Sequence, residues 1–167
     1  MTEQISTAAA VPTGTVTFLF TDVEGSTRLW QERPGAMAAA LARHDEIMRA
    51  AITAHRGYVF STAGDAFAAS FARPGDAVDA ALEAQQGLAA EMWPSDVLIL
   101  VRMGIHTGEA VERGGDYFGP TLNLGARIMS AGHVGRTWRA GADQCHDAES
   151  RGPVETCSHR SWRARPS

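Results

Sequence analysis

Three groups of residues in this chain have types and spacings suited to chemistry on a phosphorylated substrate. The first is Asp22-Val23-Glu24-Gly25-Ser26-Thr27, at the end of an apolar run. A carboxylate at a strand end, beside a Gly-containing loop with exposed backbone N–H groups, can hold a hard divalent cation against a polyphosphate. The same Asp would also serve an ordinary turn. The second is Gly64-Asp65, between two short β-type runs. In a β-α-β-β layout the first strand's end and this turn lie side by side, so two carboxylates converge and can share two metal ions about 3.5–4 Å apart. Gly and Asp are equally common in plain hairpin turns. The third is Asn123 with Arg127, spaced i, i+4 and so on one helix face. An amide and a guanidinium pointing the same way suit a sugar oxygen and an anionic phosphorus centre; a solvated polar face would use the same pair. The other candidates read as structural. His106 is expected as a packed imidazole at a strand end, His44 and His55 as surface residues of a long helix, and Trp30 as core or a dimer contact, core being favoured.

The elements that must position these groups follow from the pattern. Thr15–Asp22 (TVTFLFTD) is apolar on both faces and predicts a buried strand, followed by a loop at Val23–Thr27. Pro34–His55 has helical spacing, with Met37, Ala40, Leu41, Ile47, Met48, Ala51 and Ile52 inward and Gly57 just beyond. Tyr58–Phe60 and Ala66–Phe71 predict two strands about a tight turn at Ala63-Gly64-Asp65. Asp76–Met92 is helical again, with Ala77, Val78, Ala81, Leu82, Leu88, Ala89 and Met92 inward, and Pro94 ends it. Val97–His106 is a strand, Ala110–Arg113 a second extended piece, Gly114-Gly115 a turn and Thr121–Met129 a short helix. The order β-α-β-β-α-β, then an arm and a helix, predicts an α+β fold. Its core is ferredoxin-like, with helices on one face of an antiparallel sheet.

Composition sets outer bounds. The 167 residues suit one domain, and 44 % apolar content supplies a core. Fifteen basic against nineteen acidic residues give −4, which makes no electrostatic case for nucleic acid or a membrane surface as partner. No apolar run approaches the ~20 residues of a membrane span. Glu3 and the lack of a basic start argue against a secretory signal, so a cytoplasmic chain is expected. Cys145 and Cys157 alone exclude a disulfide scaffold and a Cys-based zinc cluster. Every basic residue is Arg; there is no Lys. Residues 1–13 read as a flexible leader. Residues 136–167, Arg-rich and without Leu, Ile, Met or Phe, read as an atypical, poorly ordered tail in which no strand is expected between Arg136 and Ala148.

Taken in order, TVTFLFTDVEGST, GDAFAASF, RMGIHTGEA and DYFGPTLNLGAR resemble the catalytic domain of class III nucleotidyl cyclases, the adenylate and guanylate cyclases. The resemblance covers Thr15 to about Gly135, within a domain expected at 14–135. It implies an enzyme that converts ATP to 3′,5′-cyclic AMP and pyrophosphate with two Mg²⁺ or Mn²⁺ ions per site, in a head-to-tail homodimer. Asp22 and Asp65 would be the metal ligands, with the Val23 carbonyl. The backbone of Glu24, Gly25, Ser26 and Thr27 would cradle the β- and γ-phosphates. Asn123 would orient the ribose and Arg127 would meet charge on the α-phosphate. Asp116 would read the purine. Metal aspartates would come from one subunit and the purine, Asn and Arg positions from the other. The chain departs from the family pattern at Ser61, where ATP-specific cyclases carry a Lys that helps read adenine; this leaves GTP open as substrate. A second departure is the tail, which lacks the family's further strands and its phosphate-binding Lys or Arg; Arg136 or Arg139 are the replacements at hand. The competing expectation is a weak or inactive homologue that binds nucleotide or dimerises.

Overall fold

A computed structural model describes residues 11–94, 97–131, 137–140 and 154–157. Seven strands form a sheet in the order β2-β3-β1-β4-β6-β7, with β5 paired to β4 alone. The strands are β1 (Gly14–Val23), β2 (Tyr58–Ala63), β3 (Ala66–Phe71), β4 (Val101–Arg113), β5 (Asp116–Phe118), β6 (Thr137–Ala140) and β7 (Val154–Cys157). The helices are α1 (Ser26–Glu32), α2 (Pro34–Ala54), α3 (Pro74–Ala90) and α4 (Pro120–Ala131). β1 to β4 pair antiparallel in the order β2-β3-β1-β4, which is the ferredoxin-like arrangement.

Period-two alternation gives the sheet two different faces. Leu19 and Val23 of β1, Phe67, Ala69 and Phe71 of β3, and Val101, Met103 and Ile105 of β4 point to one side. There they meet Met37, Ala40, Met48 and Ile52 of α2 and Ala77, Ala81, Ala84 and Leu88 of α3. Truncating a side chain such as Phe71, fully buried here, costs about 3–5 kcal/mol. Small residues on α3 allow close approach to the sheet. The opposite face carries Val16, Phe18, Tyr58, Phe60 and Tyr117 as a second cluster. Of the helices, α4 packs on this open face.

Several expectations need correction. Val97–His106 and Ala110–Arg113 are not two pieces: one strand, β4, runs from Val101 to Arg113, and residues 97–100 precede it. Ser26 and Thr27, expected in the loop, open α1, and Trp30 on that helix is 41 % exposed rather than core. His44 is fully buried, because it falls on the 37-40-44-48 inward stripe of α2. Its Nδ1 lies 2.9 Å from Asp45 Oδ1. α3 stops at Ala90, so Met92 lies beyond it and is 91 % exposed, and Ala89 in its last turn is exposed too.

Both chain ends also differ from expectation where they are described. Val11 packs on the second cluster and Pro12 is buried, its carbonyl accepting a 2.7 Å bond from the Tyr117 hydroxyl. The tail supplies β6 and β7, each four residues long. β6 adds parallel to β4 (Met103↔Thr137 to His106↔Ala140), reached through the α4 crossover that a parallel pair requires. Thr137-Trp138-Arg139-Ala140 has no β-branched or apolar run, and its pairing with β4 is not displayed by the sequence, so the strand between Arg136 and Ala148 was illegible. Residues 1–10, 141–153 and 158–167 lie outside the described residues. Among those described, no helix is long and apolar enough to cross a membrane.

Candidate active site

Asp65 reaches the end of β1, next to the residue that follows Asp22. The register Thr21↔Phe67 sets Asp22 beside the turn that joins β2 to β3. That turn is two residues long, closed by the pair Ala63↔Ala66. Gly64, at φ 64°, supplies the left-handed residue that such a connection needs at its first position. Asp65 then reaches back, and the Val23 N–H donates to its Oδ2 at 3.1 Å. Asp22 shares the open face with Arg102, its register partner on β4, and the two form an ion pair with exposures of 28 % and 29 %. Arg102 was not among the expected site residues. It faces Asp22 only through the antiparallel register, which the sequence does not display.

The turn after β1 is a frame of backbone donors. Gly25, at φ 65°, caps α1 with no side-chain bond, and Leu29 N–H is bonded to Gly25 O at 3.1 Å. The N–H groups of Ser26 and Thr27 therefore belong to the first turn, which has no intrahelical acceptors. Glu24 differs from its expected role: its N–H donates to Leu100 O at 2.9 Å and is committed to the fold.

Asn123 and Arg127 are exposed residues of α4. Their direction is set by the row 121-125-129, which faces the sheet. Gly108 leaves room for Thr121, whose methyl would lie 2.8 Å from a Cβ placed there. Gly125 sits against the Phe20 ring, and a Cβ at Gly104 would come within 2.6 Å of the Met129 backbone nitrogen. The Thr121 hydroxyl donates to Glu109 O at 2.5 Å and pins the first turn. With 121, 125 and 129 inward, 123 and 127 lie on the opposite side of the helix, away from their own sheet.

Asp116 opens β5, and its Oδ1 accepts from the Tyr117 N–H at 2.8 Å. Ser61 is exposed on β2. His106 is half-buried; its Nδ1 has no hydrogen-bond partner among the described residues, and burial pushes its pKa below the usual imidazole value.

Residues 8–138 match the family model described as the adenylate and guanylate cyclase catalytic domain. A protein of Mycobacterium tuberculosis is 44 % identical over 127 residues, 75 % of this chain and 42 % of its own length. The adenylate cyclase of Lachancea kluyveri is 34 % identical over 152 residues, which are 76 % of this chain and 8 % of that protein. A solved structure of an adenylate cyclase from Trypanosoma brucei superposes with a TM-score of 0.70 at 28 % identity, covering 75 % of this chain and 72 % of that one. The chain thus spans less than half the length of these two relatives. It belongs to the adenylate and guanylate cyclase catalytic domain family, and its fold is the class III cyclase fold.

That family is generally divalent-metal dependent. The residues at the end of β1 fit a hard cation: the donors are carboxylate and main-chain oxygens, the set that Mg²⁺ and Mn²⁺ prefer. Among the described residues no group of three or more His, Cys, Asp or Glu gathers. A two-carboxylate site would complete a cation's shell with substrate phosphates and water, as Mg²⁺ sites commonly do.

Proposed function

We propose that the chain is a nucleotidyl cyclase that converts ATP to 3′,5′-cyclic AMP and pyrophosphate at a site shared by two copies. The observation that carries this reading is the meeting of Asp65 with the Asp22-Val23 end of β1. Asp22, Asp65 and the Val23 carbonyl would hold two Mg²⁺ or Mn²⁺ ions, which when bound acidify the ribose 3′-hydroxyl and neutralise the triphosphate. The 3′-oxygen attacks the α-phosphorus, its proton passes to solvent water, and the bond to the oxygen bridging the α- and β-phosphates breaks to release pyrophosphate. Charge that builds on the α-phosphate oxygens is met by Arg127, and Asn123 holds the ribose. A contact made mainly in the transition state raises kcat. The N–H groups of Gly25, Ser26 and Thr27 cradle the terminal phosphates. Arg102, held by Asp22 in the free chain, is a cation within the same cluster of charges.

The outward row 123/127 supports the homodimer. A pair turned away from its own sheet serves the Asp22/Asp65 end of a second copy. Purine reading falls to Asp116, whose carboxylate accepts from the adenine amino group, and to Ser61. Serine, short and neutral, favours a second reading in which GTP is also cyclised. The non-catalytic alternative draws on the Arg102–Asp22 pair, which already neutralises one carboxylate.

The test is purified protein with Mn-ATP and, separately, Mn-GTP, with cyclic product resolved by chromatography. Product from the wild-type chain that disappears in Asp22→Ala is expected. Product that persists in Asp22→Ala removes the carboxylate argument, and no product from either nucleotide favours the binding module.

A further inference from the structure

The two positions assigned above to the purine are each the immediate neighbour of a ring in one aromatic cluster. Ser61 follows Phe60 on β2, and Asp116 precedes Tyr117 on β5. Phe60 and Tyr117 meet edge to face with centroids 4.9 Å apart at 70°. Phe18 of β1 closes the triangle, 5.0 Å from Tyr117 and 5.8 Å from Phe60, both at 80°. Tyr117 is buried and its hydroxyl is tied to Pro12 O. The β4–β5 turn also presses on β2: a Cβ at Gly115 would come within 2.7 Å of the Tyr58 hydroxyl.

The register of β2 adds a second observation. Val59 pairs with Ala69, but the next pair is Ser61↔Ala68, so Phe60 is an extra residue in a β-bulge. Val59 and Ala69 face the α2/α3 core. Regular alternation would send Phe60 to the open face and Ser61 back to the core side. The bulge instead pairs Ser61 with Ala68, one residue on from Ala69, and so puts Phe60 and Ser61 on the open face together.

We propose that Phe60 and Tyr117 are the positioning residues for purine discrimination: the bulge aims position 61, and the ring contact fixes its distance from Asp116. This rests on the cyclase reading above. Neither ring touches the base; each acts through its neighbour. The frame lies within one chain, so discrimination is a property of the protomer and not of how two copies settle on each other. Edge-to-face packing suits the task, because such pairs have a preferred geometry and resist sliding.

The experiment is a double-mutant cycle read on the ratio of kcat/KM for ATP over GTP. Ser61→Lys adds a charged donor that adenine N1 accepts and the protonated guanine N1 does not. It is expected to move the ratio toward ATP by about tenfold. In the Phe60→Leu background the same substitution is expected to move it less than threefold, while Phe60→Tyr, which keeps the ring, restores the full shift. Tyr117→Leu repeats the test from the other side, and Tyr117→Phe is expected to leave the shift intact. An equal shift from Ser61→Lys with and without the Phe60 ring overturns the inference, because a merely structural role lowers both nucleotides alike. Thr62→Lys, on the core-facing side of the register, is the control for aim; a shift there in place of 61 also overturns it. Wild-type protein that makes no cyclic product from either nucleotide refutes the cyclase reading instead. The cycle is then read by displacement of a fluorescent purine triphosphate, with the same two outcomes.

Discussion

Arg102 and Asp22 show how much one register pair decides. The pair keeps a carboxylate neutralised in the free chain, and any cation that binds Asp22 competes with the guanidinium. Arg102→Gln is therefore expected to tighten Mn²⁺ binding without nucleotide by about two- to fivefold, the range of a part-exposed ion pair; calorimetry or Mn²⁺ resonance titration checks it. Unchanged or weaker binding would mean that the pair does not gate the carboxylate. His106 offers a pH prediction. Burial lowers its pKa in the folded chain, so the unfolded chain binds more protons as pH falls through the ordinary imidazole value. Stability contributed by neutral His106 is present above that value and is lost as pH falls toward the folded-state pKa. His106→Asn should flatten the fall in urea midpoint between pH 7 and 5, a range set by the ordinary imidazole value of about 6.5. An identical slope in both proteins would assign the acid sensitivity to other groups.

Among the elements, α4 has the narrowest tolerance. Gly104 meets main-chain atoms of Met129, whereas Gly125 meets the ring of Phe20, a side chain that can turn. Gly104→Ala should cost more stability than Gly125→Ala, in the range of about 1–3 kcal/mol for overpacking. Gly125→Ala should lower kcat by tilting the 123/127 row, with partial recovery in Gly125→Ala/Phe20→Leu. Urea melts and steady-state kinetics separate the two effects, and a kcat untouched by Gly125→Ala would show that the row does not depend on that contact. The sequence made the central elements legible because β1 and β3 are compact apolar runs bounded by turn residues and α2 and α3 carry helical spacing over many residues. Through the β-α-β-β order it also put the end of β1 beside the Gly64-Asp65 turn, where Asp65 accepts from the Val23 N–H. What it hid were relations between elements. These are the buried stripe that claims His44, the pairing that sets Arg102 on Asp22, the bulge at Phe60, and a four-residue strand after α4 that forms only because β4 offers an edge.

At the scale of the whole molecule, the carboxylate end and the α4 row occupy one sheet face but do not point at each other. A symmetric pair would hold two sites, each built from halves of both chains. Asp22→Ala and Arg127→Ala proteins, each inactive alone, should regain about a quarter of wild-type activity when mixed in equal amounts, since half the pairs are mixed and each mixed pair has one intact site. No recovery on mixing, with exchange confirmed by size-exclusion or fluorescence, would place each site within a single chain.

If the proposed pairing holds, the outward tilt of the 123/127 row would also make turnover a collision-dependent quantity. In the proposed assembly a solitary copy owns two incomplete halves, so output per mole of polypeptide should climb steeply with protein level and then flatten once most copies are matched. Such an assembly would convert the abundance of the chain into signal strength.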